Sequence, residues 1–349
     1  MAGNSFGRIF RITTFGESHG VGVGAVVDGC PPGLSLSTED FVREMSRRRP
    51  GKRSFESPRK ETDQVEILSG VFEGLTTGTP IALFIQNRDA DSRPYEILRQ
   101  LFRPGHADYS YHKKYGHVDF RGGGRASARE TAARVAAGVV AAKILEPLGT
   151  RVTAYTIELG GIRAENIDLG RMDESPFYCP DLMASKQMEE AASAARKTGD
   201  SIGGIVEILV NECPAGFGEP VFDKLEADLA KAVMSVGAVK GIEIGAGFGA
   251  ARLKGSENND PITPNGFASN HAGGILGGVS NGDDIILRAA VKPIPSISLE
   301  QDTIDKEGNP AKLKISGRHD ATAIPRIVPV LEAMVRIVLA DHYLRLKVF

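Results

Sequence analysis

The sequence predicts a layered α/β (α+β) fold whose sheets are antiparallel. Three observations carry that expectation. Candidate strands come in runs and do not alternate regularly with helices, each run is accompanied by only one or two helical stretches, and the connecting loops are long and rich in glycine.

In chain order, residues 9–15, 24–28, 64–72 and 80–86 read as strands, because β-branched residues dominate them and Gly, Pro or Asp bounds them. Residues 127–145 form the first long helix, opened by an S-x-x-E capping box of Ser127 and Glu130 and continued by alanine and valine. A strand at 152–159, a helix at 181–197 and a strand at 205–210 follow. The helix predicted at 223–236 places Leu225, Leu229 and Val233 on one face. Strands at 242–244 and 285–291 precede a closing helix over 326–346. The two groups of strands look alike, yet no repeat aligns between them.

A chain of 349 residues is long enough for one large domain or two ordinary ones, and its 41% hydrophobic content supports a sizeable core. With no linker between the elements, residues 1–349 are expected to form a single domain. A net charge of -2 argues against a surface adapted as a whole to nucleic acid, so basic clusters read as local sites for small anions. Cys30, Cys179 and Cys213 stand in unrelated contexts without a C-x-x-C pair, which excludes a disulfide framework or a cysteine zinc site. The N-terminus lacks an apolar signal core and no stretch is long enough to span a bilayer, so a cytoplasmic protein without a membrane partner is expected.

The most telling segment is FRPGHADYSYHKKYGHVDFRGGGRASARET, residues 102–131. Gly122, Gly123 and Gly124 let the backbone turn tightly ahead of a helix N-terminus, a natural anion cradle, and Arg121, Arg125 and Arg129 surround it with forked donors. This is neither a G-x-x-x-x-G-K-[ST] phosphate loop nor a G-x-G-x-x-G dinucleotide turn. His19 in TTFGESHG and His106 in FRPGHAD each occupy a glycine-flanked turn, which suggests an acid/base pair that changes charge near neutral pH. Neither lies in a metal-ligand spacing, so no metal is expected. RRRPGKRSFESPRK, with Arg47, Arg48, Arg49, Lys52, Arg53, Arg59 and Lys60, reads as a proline-broken, mobile loop bringing cations to a polyanionic substrate. The alternative is a nucleic-acid arm, but Phe55 alone offers a ring for base stacking. ISGRHDATAIPR joins Arg318, His319 and Asp320, a set able to orient a cofactor and tune a proton.

GESHG, DGCPPG, RRRPG, ETDQVEILSGVFEGLTTGTPI, RPGHAD, RGGGRASARET, GDSIGG, GEPVFDKL, VKGIEIGAGF, SNHAGGILGGVSNG and GRHD occur in an order, and across nearly the whole chain, that resembles the chorismate synthase family in its bacterial form. The resemblance implies a β-α-β sandwich, two antiparallel sheets enclosing a helical layer, assembled as a homotetramer. It implies a lyase that removes phosphate from 5-enolpyruvylshikimate 3-phosphate in an anti-1,4 elimination, giving chorismate and requiring reduced FMN without net redox change.

Carried over by position, His19 would attend the departing phosphate, His106 the pyrimidine edge of the flavin, and Asp320, near Arg318, proton removal by way of the flavin. Arg48, Arg53, Arg103 and Arg129 would clamp the anionic substrate. Arg125, Ala126, Ser127, Gly237, Ala238, Gly277, Lys292, Pro293, Ile294, Pro295, Ser296 and Arg318 would hold FMN. Bifunctional relatives reduce FMN from NADPH; with no extra domain or insertion visible, an external flavin reductase or reductant is expected here. The chain departs from the family pattern at Arg53, which many relatives carry one place later, at RHDAT for RHDPC, and at KPIPS for KPTSS.

Overall fold

The computed structural model describes residues 3–49, 61–89, 91–315 and 319–348. Strands β1 (Ser5–Phe6), β2 (Arg11–Gly16), β3 (Gly22–Asp28), β4 (Glu66–Ile67) and β5 (Ile81–Gln86) form one antiparallel sheet in the order β1-β2-β3-β5-β4. Strands β6 (Arg151–Leu159), β7 (Ile162–Arg163), β8 (Gly204–Asn211), β9 (Val239–Ile244) and β10 (Ile285–Val291) form the second, in the order β9-β10-β8-β6-β7. Short two-stranded hairpins decorate the connections.

The period of two along each strand decides what faces inward. In the first sheet Val23, Ala25 and Val27 alternate with residues of the outer face, as do Ile81, Leu83 and Ile85; in the second sheet Val206, Ile208 and Val210 pair with Ile285, Leu287 and Ala289. Between the sheets lie the helices, α1 (Val42–Arg48), α3 (Thr131–Leu145) and α6 (Ile324–Leu346), with α2 (Asp108–Tyr115), α4 (Leu182–Thr198) and α5 (Leu225–Met234) at other positions in the chain. Helix α3 packs on β3 and β5, α6 packs on β6 and β8, and the two helices pack on each other. Their crossing needs small residues: a Cβ on Gly138 would lie 2.5 Å from that of Ala333. Each fully buried aliphatic side chain in this layer contributes roughly 1.5–3 kcal/mol. The expected sandwich of two antiparallel sheets around a helical layer is the fold observed.

Several local expectations change. The strand predicted over 64–72 is split, because Gly70 turns at φ 81° between β4 and the short strand Val71–Phe72. The helix predicted from residue 127 becomes regular only at Thr131: Ser127 is the N-cap of a preceding 3₁₀ turn and accepts from the Arg129 amide at 3.3 Å. The capping box is half made, since Glu130 turns to Thr14 and Arg134. Helices α1 and α2 were not expected. The first corrects the reading of RRRPGKR as a loop throughout, because Arg47 and Arg48 lie in the last turn of α1 and Arg48 is buried; Arg49, ahead of Pro50, is extended as a residue preceding proline must be. The remainder of that segment, including the expected mobility of residues 50–60, lies outside the described residues. All three cysteines are free and buried, and burial pushes the Cys30 and Cys213 thiols up to about 11. No described helix is long and apolar enough to cross a membrane.

Candidate active site

The glycine turn and the first histidine meet. Gly122, Gly123 and Gly124 adopt φ values of 57°, 84° and 52°, backbone that L side chains rarely adopt. A Cβ on Gly122 would also collide with the His19 ring, so glycine is required twice over. His19 follows β2, is 8% exposed, shares a 2.8 Å hydrogen bond between Nδ1 and Ser92 Oγ, and meets the Tyr95 ring edge-on at 5.1 Å. The Ser18 hydroxyl donates to the Gly122 carbonyl at 3.2 Å.

Beside this turn lies a buried cluster of charge. Arg129, on the 3₁₀ turn before α3, donates from Nη1 to Asp63 Oδ1, from Nη2 to the Gln86 carbonyl at 3.1 Å and from Nε to Asn87 Oδ1 at 2.8 Å. Arg48 Nη1 donates to the other Asp63 oxygen at 3.4 Å, while its buried Nε meets no acceptor among the described residues. Burial pulls the Arg48 guanidinium well below the usual arginine range against the attraction of Asp63. Burial would raise Asp63, yet Arg48 and Arg129 outweigh it and hold the carboxyl low. Asp63 itself has φ 49°, a strained setting for a non-glycine residue. Arg326 Nη1 donates to Asp320 at 2.6 Å, and its charge reaches both Arg48 and Asp63, so Asp320 borders the same cluster.

The second histidine sits in a different setting. Arg103 grips Asp108 through two 2.7 Å hydrogen bonds, and its Nη2 lies 3.4 Å from where a Cβ of Gly123 would be, which joins this loop to the glycine turn. His106 is clamped from both sides, with Nδ1 3.0 Å from the Pro104 carbonyl and Nε2 2.8 Å from Ser296 Oγ. A carbonyl only accepts, so Nδ1 carries the proton and Ser296 donates to Nε2 when the ring is neutral. Burial first and the Arg103 charge second pull the His106 pKa down to about 4. The acid/base pair expected from the sequence changes charge near neutral pH, whereas burial favours the neutral form of His106 well below it.

Of the residues expected to hold flavin, Lys292 to Ser296 line one side of this loop: Lys292 Nζ donates to the Gly105 carbonyl at 2.9 Å, and its amide donates to the Ala238 carbonyl at 2.9 Å, which brings Gly237 and Ala238 alongside. Ala238 has φ 74°, and Gly237 faces open space. An ammonium, a hydroxyl and an uncovered glycine suit an anionic group with a flat edge, so this corner fits FMN. Ser201 Oγ steadies it by donating to the Ile294 carbonyl at 2.6 Å. Arg125 is placed differently: its guanidinium donates to Gly16 O, to Thr14 O and Oγ1, and to Asn4 Oδ1, at 2.8 to 3.3 Å. Ala126 and Ser127 continue from it into the N-cap. Gly277 turns a hairpin whose Gly278 carbonyl accepts from Leu225, at the opposite end of α5 from Gly237. Arg53 and Arg318 lie outside the described residues; among the described residues, Asp320 accepts from Arg326. Among the described residues no cluster of His, Cys, Asp and Glu suits a metal ion.

Sequence reasoning missed Asp63, Asn87, Ser92 and Arg326. Asp63 lies in ETDQVEILSG, one of the quoted motifs, but no local pattern ties it to Arg129 across 66 residues.

The family model for chorismate synthase matches residues 10–344. A curated relative from Syntrophobacter fumaroxidans, named chorismate synthase, is 61% identical over 344 residues, covering 99% of this chain and 98% of its own. Another of that name, from Syntrophus aciditrophicus, is 60% identical over 350 residues, covering 99% of both chains. A crystal structure of chorismate synthase superposes with a TM-score of 0.78 at 34% identity, covering 97% of this chain and 93% of that one.

Proposed function

This chain belongs to the chorismate synthase family, and from that premise we propose that it eliminates phosphate from 5-enolpyruvylshikimate 3-phosphate to give chorismate, with reduced FMN as cofactor. It is a lyase of aromatic amino acid biosynthesis. The observation that supports the substrate most directly is the joining of His19, the Gly122 turn and the Arg129 cluster in one place.

In this reading the buried guanidinium of Arg48, whose Nε is unmet among the described residues, and the spare N–H groups of Arg129 face the substrate's anionic groups. Arg103 and Arg53 complete the clamp. His19, oriented by Ser92, stands by the leaving phosphate and supplies or holds a proton there. Lys292 to Ser296, Gly237 and Ala238 hold FMN, with the backbone of 125–127, Gly277 and Arg318 also assigned to it. The bound cofactor supplies electron density that helps the phosphate leave. His106 gains a proton only when an anion comes beside it, because the ligand-free loop keeps the imidazole neutral. Asp320, ion-paired with Arg326, is a carboxylate placed to take up a proton. We further propose that residues 1–349 work as one domain in a cytoplasmic homotetramer, with FMN reduced by a separate reductase and not from NADPH by this chain.

The test is an anaerobic assay of purified protein with 5-enolpyruvylshikimate 3-phosphate and chemically reduced FMN. Chorismate and phosphate should appear in equal amounts with no net flavin oxidation; absence of phosphate release from folded, flavin-loaded protein would refute the assignment.

A further inference from the structure

We propose that Asn87 is the positioning residue that fixes the His19 turn relative to the Arg129 guanidinium. It stands directly after β5, and its side chain is the point at which the two halves of the site meet. Nδ2 donates to the carbonyls of Glu17 and Gly20, each at 2.9 Å, and these two carbonyls flank Ser18 and His19. The turn is closed on itself by the Gly20 amide, which donates to the same Glu17 carbonyl at 3.1 Å. On the other side Oδ1 accepts from Arg129 Nε at 2.8 Å.

The orientation of this amide is not ambiguous. A primary amide has two N–H donors and one acceptor oxygen, and here two carbonyls stand on one side and a guanidinium on the other. A flipped amide would set its oxygen against both carbonyls and its N–H groups against Arg129. The backbone reinforces the link, since the Asn87 amide donates to the Val21 carbonyl at 3.0 Å and the preceding Gln86 carbonyl accepts from Arg129 Nη2 at 3.1 Å. Next in the chain, the Arg88 and Asp89 amides both donate to the Glu61 carboxylate at 3.2 Å, two residues from Asp63. Residues 86–89 therefore hold the histidine turn and the buried arginine cluster in one frame. A displacement on the order of 1 Å between a proton donor and the clamp that fixes its target costs roughly 10²-fold in rate.

The inference rests on the proposed reaction for its kinetic consequence only. Asn87→Asp separates the two ends of the side chain: it keeps an oxygen for Arg129 and replaces the donor end with an oxygen that faces the Glu17 and Gly20 carbonyls. Asn87→Ala removes both ends. In ligand-free protein, Asn87→Asp should move the NMR resonances of the His19 ring nitrogens while leaving the Arg129 Nε resonance close to its wild-type position, and Asn87→Ala should move both. In turnover, Asn87→Asp should lower kcat by roughly 10²-fold with the larger change in kcat and the smaller in KM, and Asn87→Ala should impair both. Thermal melts identify variants that fail to fold; should Asn87→Ala be one, Asn87→Asp alone decides. Unmoved His19 resonances in folded Asn87→Asp, or a variant that loses substrate affinity while keeping kcat, would overturn the inference. A wild-type protein that releases no phosphate would refute the reaction and leave the resonance test standing.

Discussion

His19 and His106 both occupy glycine-flanked turns, and the structure treats them differently. His19 touches a turn that only glycine permits and bonds a serine hydroxyl, which serves either ring state because a hydroxyl both donates and accepts. His106 is wedged between a carbonyl and a hydroxyl beside Arg103, and burial keeps it neutral with a pKa of about 4. The difference teaches that a histidine in a turn acquires its role from what closes around it. Beside His19 lies the buried cluster of Arg48, Arg129 and Asp63, proposed as the anion clamp; beside His106 lie Lys292 and Ser296, the corner that fits a flavin.

The strongest way to break this comparison is to remove each ring. A general acid contributes about 10²–10⁴-fold, so His19→Ala and His106→Ala should each lose turnover on that order while remaining folded. Steady-state rates with circular dichroism as the folding control check this, and normal turnover in both would reduce them to bystanders. Next in size is the clamp. Arg48→Ala should weaken substrate binding by about 30-fold or more, since truncating one partner of a buried charge pair costs about 2 kcal/mol or more, while FMN affinity stays near normal. Unchanged substrate affinity in a titration would remove Arg48 from the substrate side.

The smallest effect concerns stability. The folded His106 pKa, about 4, lies below the ordinary histidine value of 6.5, so its contribution is fully present above about pH 6.5 and is lost as pH falls toward 4. Allowing for its partial exposure, the loss is on the order of 2 kcal/mol. Denaturant titrations at pH 7 and pH 4.5 should show this decline in the ligand-free protein, and a smaller one in His106→Ala. A decline of equal size in both would place the pH dependence elsewhere.

Much of the fold was legible because short apolar runs rich in β-branched residues, bounded by Gly, Pro or Asp, mark strands such as β8 and β10 without reference to anything distant. Helix α2 was not legible: its sequence DYSYHKKY carries no apolar stripe, and none of its residues is buried. For the site, glycine and histidine spacing pointed to the turn that Gly122 and His19 share. The partners of Arg48 and Arg129 could not be read in the same way. Asp63 and Asn87 lie 66 and 42 residues from Arg129, and the pairing of β4 with β5 and the packing of α3 on β3 and β5 bring those segments together. Arg125 shows what spacing leaves out, since a forked cation beside a glycine turn reads as an anion ligand, while its guanidinium also braces β2.

The measurement that tests the division of labour most directly is a pH titration of the bound reduced-flavin absorbance in wild type, His19→Ala and His106→Ala. His106→Ala should shift the pH dependence of that spectrum, and His19→Ala should leave it as in wild type, because only His106 adjoins the Lys292 to Ser296 corner. A shifted spectrum in His19→Ala with an unaltered one in His106→Ala would exchange the two roles and contradict the account.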